Sequence, residues 1–152
     1  MVMRDVGQLE LKPVLSLSPA TLVSDACRQM ADKNVDSVLI VDTAGDGSKP
    51  DALLKPRLVG IVTVKDVCHK VIGKGLEPST TKLEKVMTFP VHSLPSNTSL
   101  YKILSLMDEK DFRQVPVVDD GDILGIATSQ MINTCLFNDI IKDLKVLVSI
   151  FK

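Results

Sequence analysis

The heptapeptide GIVTVKD at residues 60–66 carries the side chains best suited to chemistry in this chain. It places a hydroxyl at Thr63 and a carboxylate at Asp66, at a point where a helix is expected to begin. A carboxylate accepts two or more hydrogen bonds and can therefore hold two neighbouring hydroxyl groups of a ligand. The same spacing also forms a helix capping box, in which the hydroxyl caps one amide and the carboxylate reaches back to another. The residues themselves leave both roles open and favour the capping box.

A related heptapeptide, GIATSQM at residues 125–131, repeats the glycine and the threonine but ends in methionine. Met131 takes the place of the acid, so this copy lacks both a group for paired hydroxyls and the return bond of a capping box. We therefore expect Thr128 to act as a helix cap, and any second binding site here to be weak.

The two heptapeptides belong to two copies of a longer pattern. Pro13 aligns with Pro90, and Asp42 aligns with Asp119 at the same separation. A chain that repeats itself in this way is built from two copies of one supersecondary unit. The first copy carries an insertion between Thr43 and Pro56, whose Gly, Pro, Asp and Ser content predicts an exposed loop.

Each copy predicts the order strand, helix, strand, strand, helix, which is an α/β fold. Short apolar runs at residues 38–41 and 115–118 are typical of buried strands. Thr21 and Thr98 stand where each first helix should begin and are predicted to cap it. The second helix is predicted at residues 64–72 in one copy and from Ser129 in the other.

Beyond the second copy, apolar residues recur with helical spacing to the end of the chain. They are Ile140, Ile141, Leu144, Leu147, Val148 and Phe151. We predict four segments: repeat 1 at 1–72, a linker at 73–86, repeat 2 at 87–137 and a C-terminal amphipathic helix at 138–152. Since an apolar stripe must be covered, we also expect a homodimer that buries this helix. The alternatives are a helix that packs on its own chain and leaves a monomer, and a helix that binds a protein partner.

The composition favours a globular, intracellular protein. Hydrophobic residues make up 45% of the chain and the net charge is −1, which provides no basic footprint for nucleic acid. No stretch approaches the roughly 18 apolar residues of a membrane span, so we expect no membrane contact and a cytoplasmic location. The three cysteines lack the spacing of zinc sites and are expected to be reduced.

Residues in a catalytic arrangement do not stand out. His69 and His92 are the two histidines, and neither lies in a recognisable nucleophile, paired-carboxylate or metal motif. We therefore predict a protein that is not an enzyme and has no metal site.

The repeat order, the GIVTVKD motif, the VMT at 86–88 and the RQVPVVD at 113–119 together resemble the tandem cystathionine-β-synthase (CBS) domain pair, or Bateman module. The resemblance covers residues 13–132. It implies two α/β repeats related by a pseudo-twofold axis, each a small sheet flanked by two helices, with an adenosyl ligand in the cleft between them.

The family motif of Gly, apolar, any, Thr or Ser, any, any, Asp falls on Gly60, Ile61, Thr63 and Asp66 without departure. By this resemblance Asp66 would bind the ribose hydroxyls, Thr63 a phosphate, and Lys65 would supply charge. The complete set of residues expected to bind nucleotide is Ile61, Val62, Thr63, Lys65 and Asp66 from the first copy, with Val91, His92, Phe112 and Arg113 as their partners.

The resemblance implies a regulatory module that binds AMP, ADP, ATP or S-adenosylmethionine and passes its occupancy to a partner or a neighbouring domain. The alternative is an unliganded CBS scaffold for dimerisation or docking. The intact GIVTVKD favours the first and the altered GIATSQM favours the second. A third possibility, in which the acid helps bind a magnesium–nucleotide complex, also stays open.

Overall fold

The fold is described by a computed structural model that covers residues 4–43 and 56–151. Most of the predicted loop between Thr43 and Pro56 therefore lies outside the described residues. Backbone contacts divide the chain into two units. We call Pro13–Val91 the first-repeat unit, and the segment up to Lys12 together with residues from His92 onward the second-repeat unit.

The first-repeat unit contains a three-stranded sheet and a long helix. The strands are β1 (Ser16–Leu17), β2 (Ser37–Asp42) and β3 (Arg57–Thr63), in that spatial order, with β1 parallel and β3 antiparallel to β2. Helix α1 (Val23–Lys33) lies between β1 and β2 in the chain and buries Val23, Ala26 and Met30. These residues recur every three or four positions and so form one apolar face.

A helical segment of irregular geometry follows β3. It begins as a single α-turn, α2 (Val64–Asp66), continues as a π-helix at Val67–Val71 and ends as a 3₁₀-helix at Ile72–Lys74. The helix predicted at residues 64–72 is therefore present, but it is not a regular α-helix. Val64, Val67, Val71 and Ile72 are β-branched, and such side chains are stiff and crowd a regular helix.

The second-repeat unit repeats this plan. Helix α3 (Leu100–Lys110) precedes an antiparallel pair, β4 (Gln114–Asp119) and β5 (Asp122–Thr128). Leu94 bridges to Val117 in parallel, as β1 pairs with β2 in the other unit. Helix α4 then runs without a break over Ser129–Ile150, so the predicted C-terminal helix continues the second helix of the repeat. The expectation of an α/β fold is confirmed.

The two first helices are capped one residue later than predicted. The N-cap of α1 is Leu22, which offers no side-chain acceptor, and the N-cap of α3 is Ser99, whose hydroxyl accepts from the Lys102 amide at 3.3 Å. Thr98 instead donates to the Pro95 carbonyl at 2.7 Å. The prediction that Thr21 and Thr98 cap these helices is therefore wrong, because their side chains belong to the preceding turns.

The repeats exchange short segments between the units, and we call residues 6–11 and 83–88 the exchanged segments. The 3₁₀-helix Leu83–Lys85 belongs to the first-repeat unit, where the Leu83 amide donates to the Thr21 carbonyl at 2.9 Å. Its counterpart in the first copy, Val6–Gln8, belongs to the second-repeat unit, where the Val6 amide donates to the Thr98 carbonyl at 2.9 Å. Each unit is thus completed by a segment that precedes the other repeat in sequence.

The exchanged segments supply core residues. Leu83 and Val86 join the core of the first-repeat unit, while Val6 joins that of the second. Gly60 and Gly125 make room for these segments, because a Cβ at Gly60 would overlap the Met87 side chain and one at Gly125 would overlap Leu11. Residues 83–86, placed in a linker by sequence, are structural parts of a unit.

Candidate functional site

Thr63 and Asp66 form a complete capping box at the end of β3. The Thr63 hydroxyl accepts from the Asp66 amide at 3.2 Å, and Asp66 Oδ2 accepts from the Thr63 amide at 2.9 Å. The Thr63 hydroxyl also donates to the same Oδ2 at 3.0 Å. Both lone-pair directions of Oδ2 are therefore used by Thr63, and one of the two roles left open by the sequence is realised.

The other carboxylate oxygen, Oδ1, faces two different donors. Lys70 Nζ lies 2.8 Å from it and the Thr88 hydroxyl lies 3.2 Å from it. Lys70 also donates to Thr88 Oγ1 at 2.9 Å and to the Val86 carbonyl at 3.1 Å. One oxygen of Asp66 thus fixes the backbone, and the other belongs to a cluster of side chains.

Asp66 is held in its ionised form. Burial by itself would raise the pKa of this carboxyl, but hydrogen bonds from Lys70 and Thr63 outweigh it and bring the pKa below its ordinary value. The Asp66 side chain is only 13% exposed, whereas that of Lys70 is 41% exposed. The site therefore presents a shielded negative charge beside a more accessible positive one.

Strand β3 and the exchanged segment place these groups together. Ile61 exchanges two backbone hydrogen bonds with Thr88, at 2.8 and 3.1 Å, so Thr88 is held alongside β3 two residues before Thr63. The absence of a side chain at Gly60 lets Met87 approach the strand closely. The exchanged segment therefore contributes directly to the surroundings of Asp66.

The other site residues predicted in the first-repeat unit occupy contrasting environments. The side chains of Ile61 and Val62 are buried, and Val62 is part of the hydrophobic core. Lys65 is exposed and Val91 is half-buried. Among these predicted residues, the side chains of Thr63 and Asp66 are hydrogen-bonded to each other.

In the second-repeat unit, His92 and Phe112 lie together. Their rings are stacked with centroids 5.7 Å apart and planes inclined by 12°. Arg113 is exposed and its carbonyl accepts from the Ser129 amide at 2.9 Å, which ties the start of α4 to β4. The Thr128 hydroxyl accepts from the Met131 amide at 3.2 Å, so the predicted cap is present.

Sequence reasoning missed Lys70 and the role of Thr88. Lys70 follows Asp66 by four residues, the spacing at which opposite charges on a helix pair, and this signal could have been used. Thr88 belongs to the VMT motif, but its contact with Asp66 depends on the pairing of residues 61 and 88, which no local pattern encodes.

Comparison with known proteins identifies the fold family. A family profile for the CBS domain matches residues 6–73 and again residues 83–136. The chain belongs to the CBS domain family. The predicted tandem CBS pair is confirmed, since the two matches fall on the two sequence copies. Within the described residues, no helix has both the length and the apolar character needed to cross a membrane.

Relatives of the CBS pair include longer proteins. The CBS domain-containing protein CBSCBSPB2 of Arabidopsis thaliana is 36% identical over 137 residues, which cover 90% of this chain and 23% of the relative. The chain thus spans less than a quarter of the length of the first curated relatives it matches.

Solved structures share the fold at lower identity. The CBS domain pair of protein MJ0100, in complex with 5′-methylthioadenosine and S-adenosyl-L-methionine, has a TM-score of 0.74 and 23% identity, covering 91% of this chain and 99% of that chain. A hexameric CBS-CP12 protein from bloom-forming cyanobacteria has a TM-score of 0.73 and 20% identity, covering 88% of this chain and 72% of that chain.

Proposed function

We propose that this CBS pair is a regulatory module that binds an adenine nucleotide or a related adenosyl ligand through Asp66. Its occupancy is then passed to a partner protein or to a neighbouring domain. The observation that carries the proposal is that the two oxygens of the Asp66 carboxylate have different partners. Oδ2 caps the helical segment, and Oδ1 contacts the side chains of Lys70 and Thr88.

The two groups that donate to Oδ1, Lys70 and Thr88, can be replaced by hydroxyl groups of a ligand. Thr88 is exposed and the Lys70 side chain is 41% exposed, so a ligand can replace both without disturbing the capping box. A carbonyl-type oxygen offers two lone pairs, and the vicinal hydroxyls of a ribose supply two donors. The structural and ligand-binding roles of Asp66 are therefore compatible, one on each oxygen.

The fold also supports an adenosyl ligand. The MJ0100 pair, which shares this fold, is a complex with two adenosyl compounds. The contributions of Lys65, Val91, His92, Phe112 and Arg113 stay predictions. An unliganded scaffold is the competing function, and the complete hydrogen bonding of Asp66 is what favours it.

A thermal-shift panel of AMP, ADP, ATP, S-adenosylmethionine and GTP tests the proposal. A ligand at 100 times its Kd stabilises by about 2.7 kcal/mol, which for a chain of this size raises Tm by roughly 5–10 °C. Asp66→Ala should remove the shift for any ligand that binds. Asp25→Ala is the matched control, because Asp25 is an exposed acid that pairs with Arg28 on α1. No shift with any compound would favour the scaffold.

We further propose that the module self-associates through α4. Phe137, Ile140, Leu144, Leu147 and Phe151 follow the alternating three- and four-residue spacing of a coiled-coil seam, and all are between 46% and 87% exposed. Arg4 holds another side of the helix by an ion pair with Asp139 at 3.0 Å. An identical helix is self-complementary to such a seam, so a second copy is the occupant we propose.

Light scattering at tens of micromolar distinguishes a dimer from a monomer. Replacing both Leu144 and Leu147 with Glu should shift the mass to that of a monomer. Lys145→Glu changes the net charge by the same amount next to the seam and should leave the dimer intact. A monomer mass for the unaltered chain would contradict self-association, and loss of the dimer in both variants would indicate a charge effect.

A further inference from the structure

The Lys70 ammonium is the centre of the polar cluster around Asp66. An ammonium has three N–H donors, and Lys70 has three acceptors in place: Asp66 Oδ1 at 2.8 Å, Thr88 Oγ1 at 2.9 Å and the Val86 carbonyl at 3.1 Å. Lys70 therefore ties the π-helical segment to the exchanged segment and neutralises the carboxylate.

A ribose that binds Asp66 Oδ1 changes the surroundings of this ammonium. Its two hydroxyls take the lone pairs that Lys70 and Thr88 occupy, so Lys70 loses one charge-assisted hydrogen bond. The ammonium stays within a few ångströms of Oδ1, because its bonds to Val86 and Thr88 hold it there. The affinity for a ligand therefore depends on which chemical group the ligand places next to the Lys70 ammonium.

We propose that Lys70 is a specificity-determining residue that selects ribose ligands carrying an anionic phosphate over uncharged nucleosides and over cationic sulfonium compounds. This inference rests on the proposed ribose-binding role of Asp66. A phosphate on the ribose supplies Lys70 with a new charged acceptor in place of the one it loses. An uncharged nucleoside leaves one N–H of the Lys70 ammonium bonded only to water. A sulfonium group places a second positive charge beside the ammonium, which repels it.

The size of the preference follows from the exposure of Lys70. Its side chain is 41% exposed, so water partly compensates for a lost acceptor and salt weakens the attraction. We expect AMP to bind about tenfold more tightly than adenosine, which corresponds to one hydrogen bond with a charged partner after this discount. S-adenosylmethionine should bind more weakly than adenosine.

Calorimetry with AMP, adenosine and S-adenosylmethionine tests the inference. In Lys70→Gln the AMP-to-adenosine affinity ratio should fall to about 1–2, because the amide is polar but carries no charge. Lys70→Arg keeps the charge and should keep a preference for AMP. Lys74→Gln is the matched control, since Lys74 is exposed on the following 3₁₀-helix, and its ratio should equal that of the unaltered chain.

The outcomes separate the two proposals. If neither the unaltered chain nor any variant binds any of the three compounds, the ribose-binding role of Asp66 fails. If the unaltered chain binds adenosine or S-adenosylmethionine as tightly as AMP, ribose binding stands and the role of Lys70 is refuted. An unchanged AMP-to-adenosine ratio in folded Lys70→Gln refutes it as well. The comparison among ligands on the unaltered chain needs no variant to fold.

Discussion

Replacing Asp66 with asparagine tests the charge on the capping box independently of any ligand. The amide nitrogen of the introduced side chain would have to face either the Thr63 amide or the Lys70 ammonium, and both are hydrogen-bond donors. One capping bond is worth about 1 kcal/mol, and the ion pair with the partly exposed Lys70 adds up to about 1 kcal/mol. We therefore expect the free energy of unfolding at pH 7 to fall by about 2 kcal/mol in Asp66→Asn.

The loss should depend on pH in a defined direction. Because hydrogen bonds lower the pKa of folded Asp66 below its ordinary value of 3.8, the folded chain favours the ionised form. The stabilisation is complete well above the ordinary value and is lost as the pH falls through the folded pKa. Asparagine does not titrate, so the difference between the two proteins should shrink at acid pH. The pKa of Asp119 is also lowered, by hydrogen bonds from Ser96. Asp119 is present in both proteins, so its effect cancels when their free energies of unfolding are compared.

Urea denaturation at pH 7 and at about pH 3 measures this difference. With a slope of about 2 kcal/mol per molar urea, the expected loss moves the midpoint by about 1 M at pH 7. Asp25→Asn is the control, because it removes an equal charge from an exposed pair on α1 and should move the midpoint far less. A loss of the same size at both pH values would refute the electrostatic explanation and leave a packing effect.

Three further perturbations address the repeats. Gly125→Ala should lower the free energy of unfolding by about 1–3 kcal/mol, because its Cβ would overlap Leu11 Cβ beside the Lys12 backbone, and thermal melting checks this. Leu83→Ala should cost about 2–5 kcal/mol in chemical denaturation, since Leu83 is fully buried in a segment that a true linker would leave exposed. Met131→Asp should complete the second capping box and raise the nucleotide stoichiometry in calorimetry from one to two per chain, and an unchanged stoichiometry would contradict our explanation of the single site.

Local patterns predicted the elements well and their ends less well. The apolar runs around Leu39 and Val117 became β2 and β4, because a short buried strand has few alternatives in a repeated α/β unit. The caps were displaced by one residue in both copies. Thr98 and Ser99 are both good capping residues, and what decides between them is the turn hydrogen bond from Thr98 to Pro95, which has no marker in the sequence.

In the candidate site, local contacts could be predicted from the sequence and long-range contacts could not. The Thr63 and Asp66 pair could be identified because its members are three residues apart and interact locally. Thr88 could not be placed near Asp66, because the two residues meet through a segment exchanged between repeats. Long-range pairings of this kind depend on the whole fold and are not encoded in spacing.

Because of the exchanged segments, one unit is continuous in sequence and the other is made of two separate stretches. Residues 13–91 form a continuous stretch that contains the described elements of the first-repeat unit, including the segment at Leu83–Lys85 that precedes the second repeat. The second-repeat unit is interrupted by that stretch, so it must close a long loop before Val6 can reach its core. Loop closure costs less when the intervening chain is already compact. The first-repeat unit is therefore inserted within the sequence of the other unit, and we expect its folding to shorten the loop that the second-repeat unit must close.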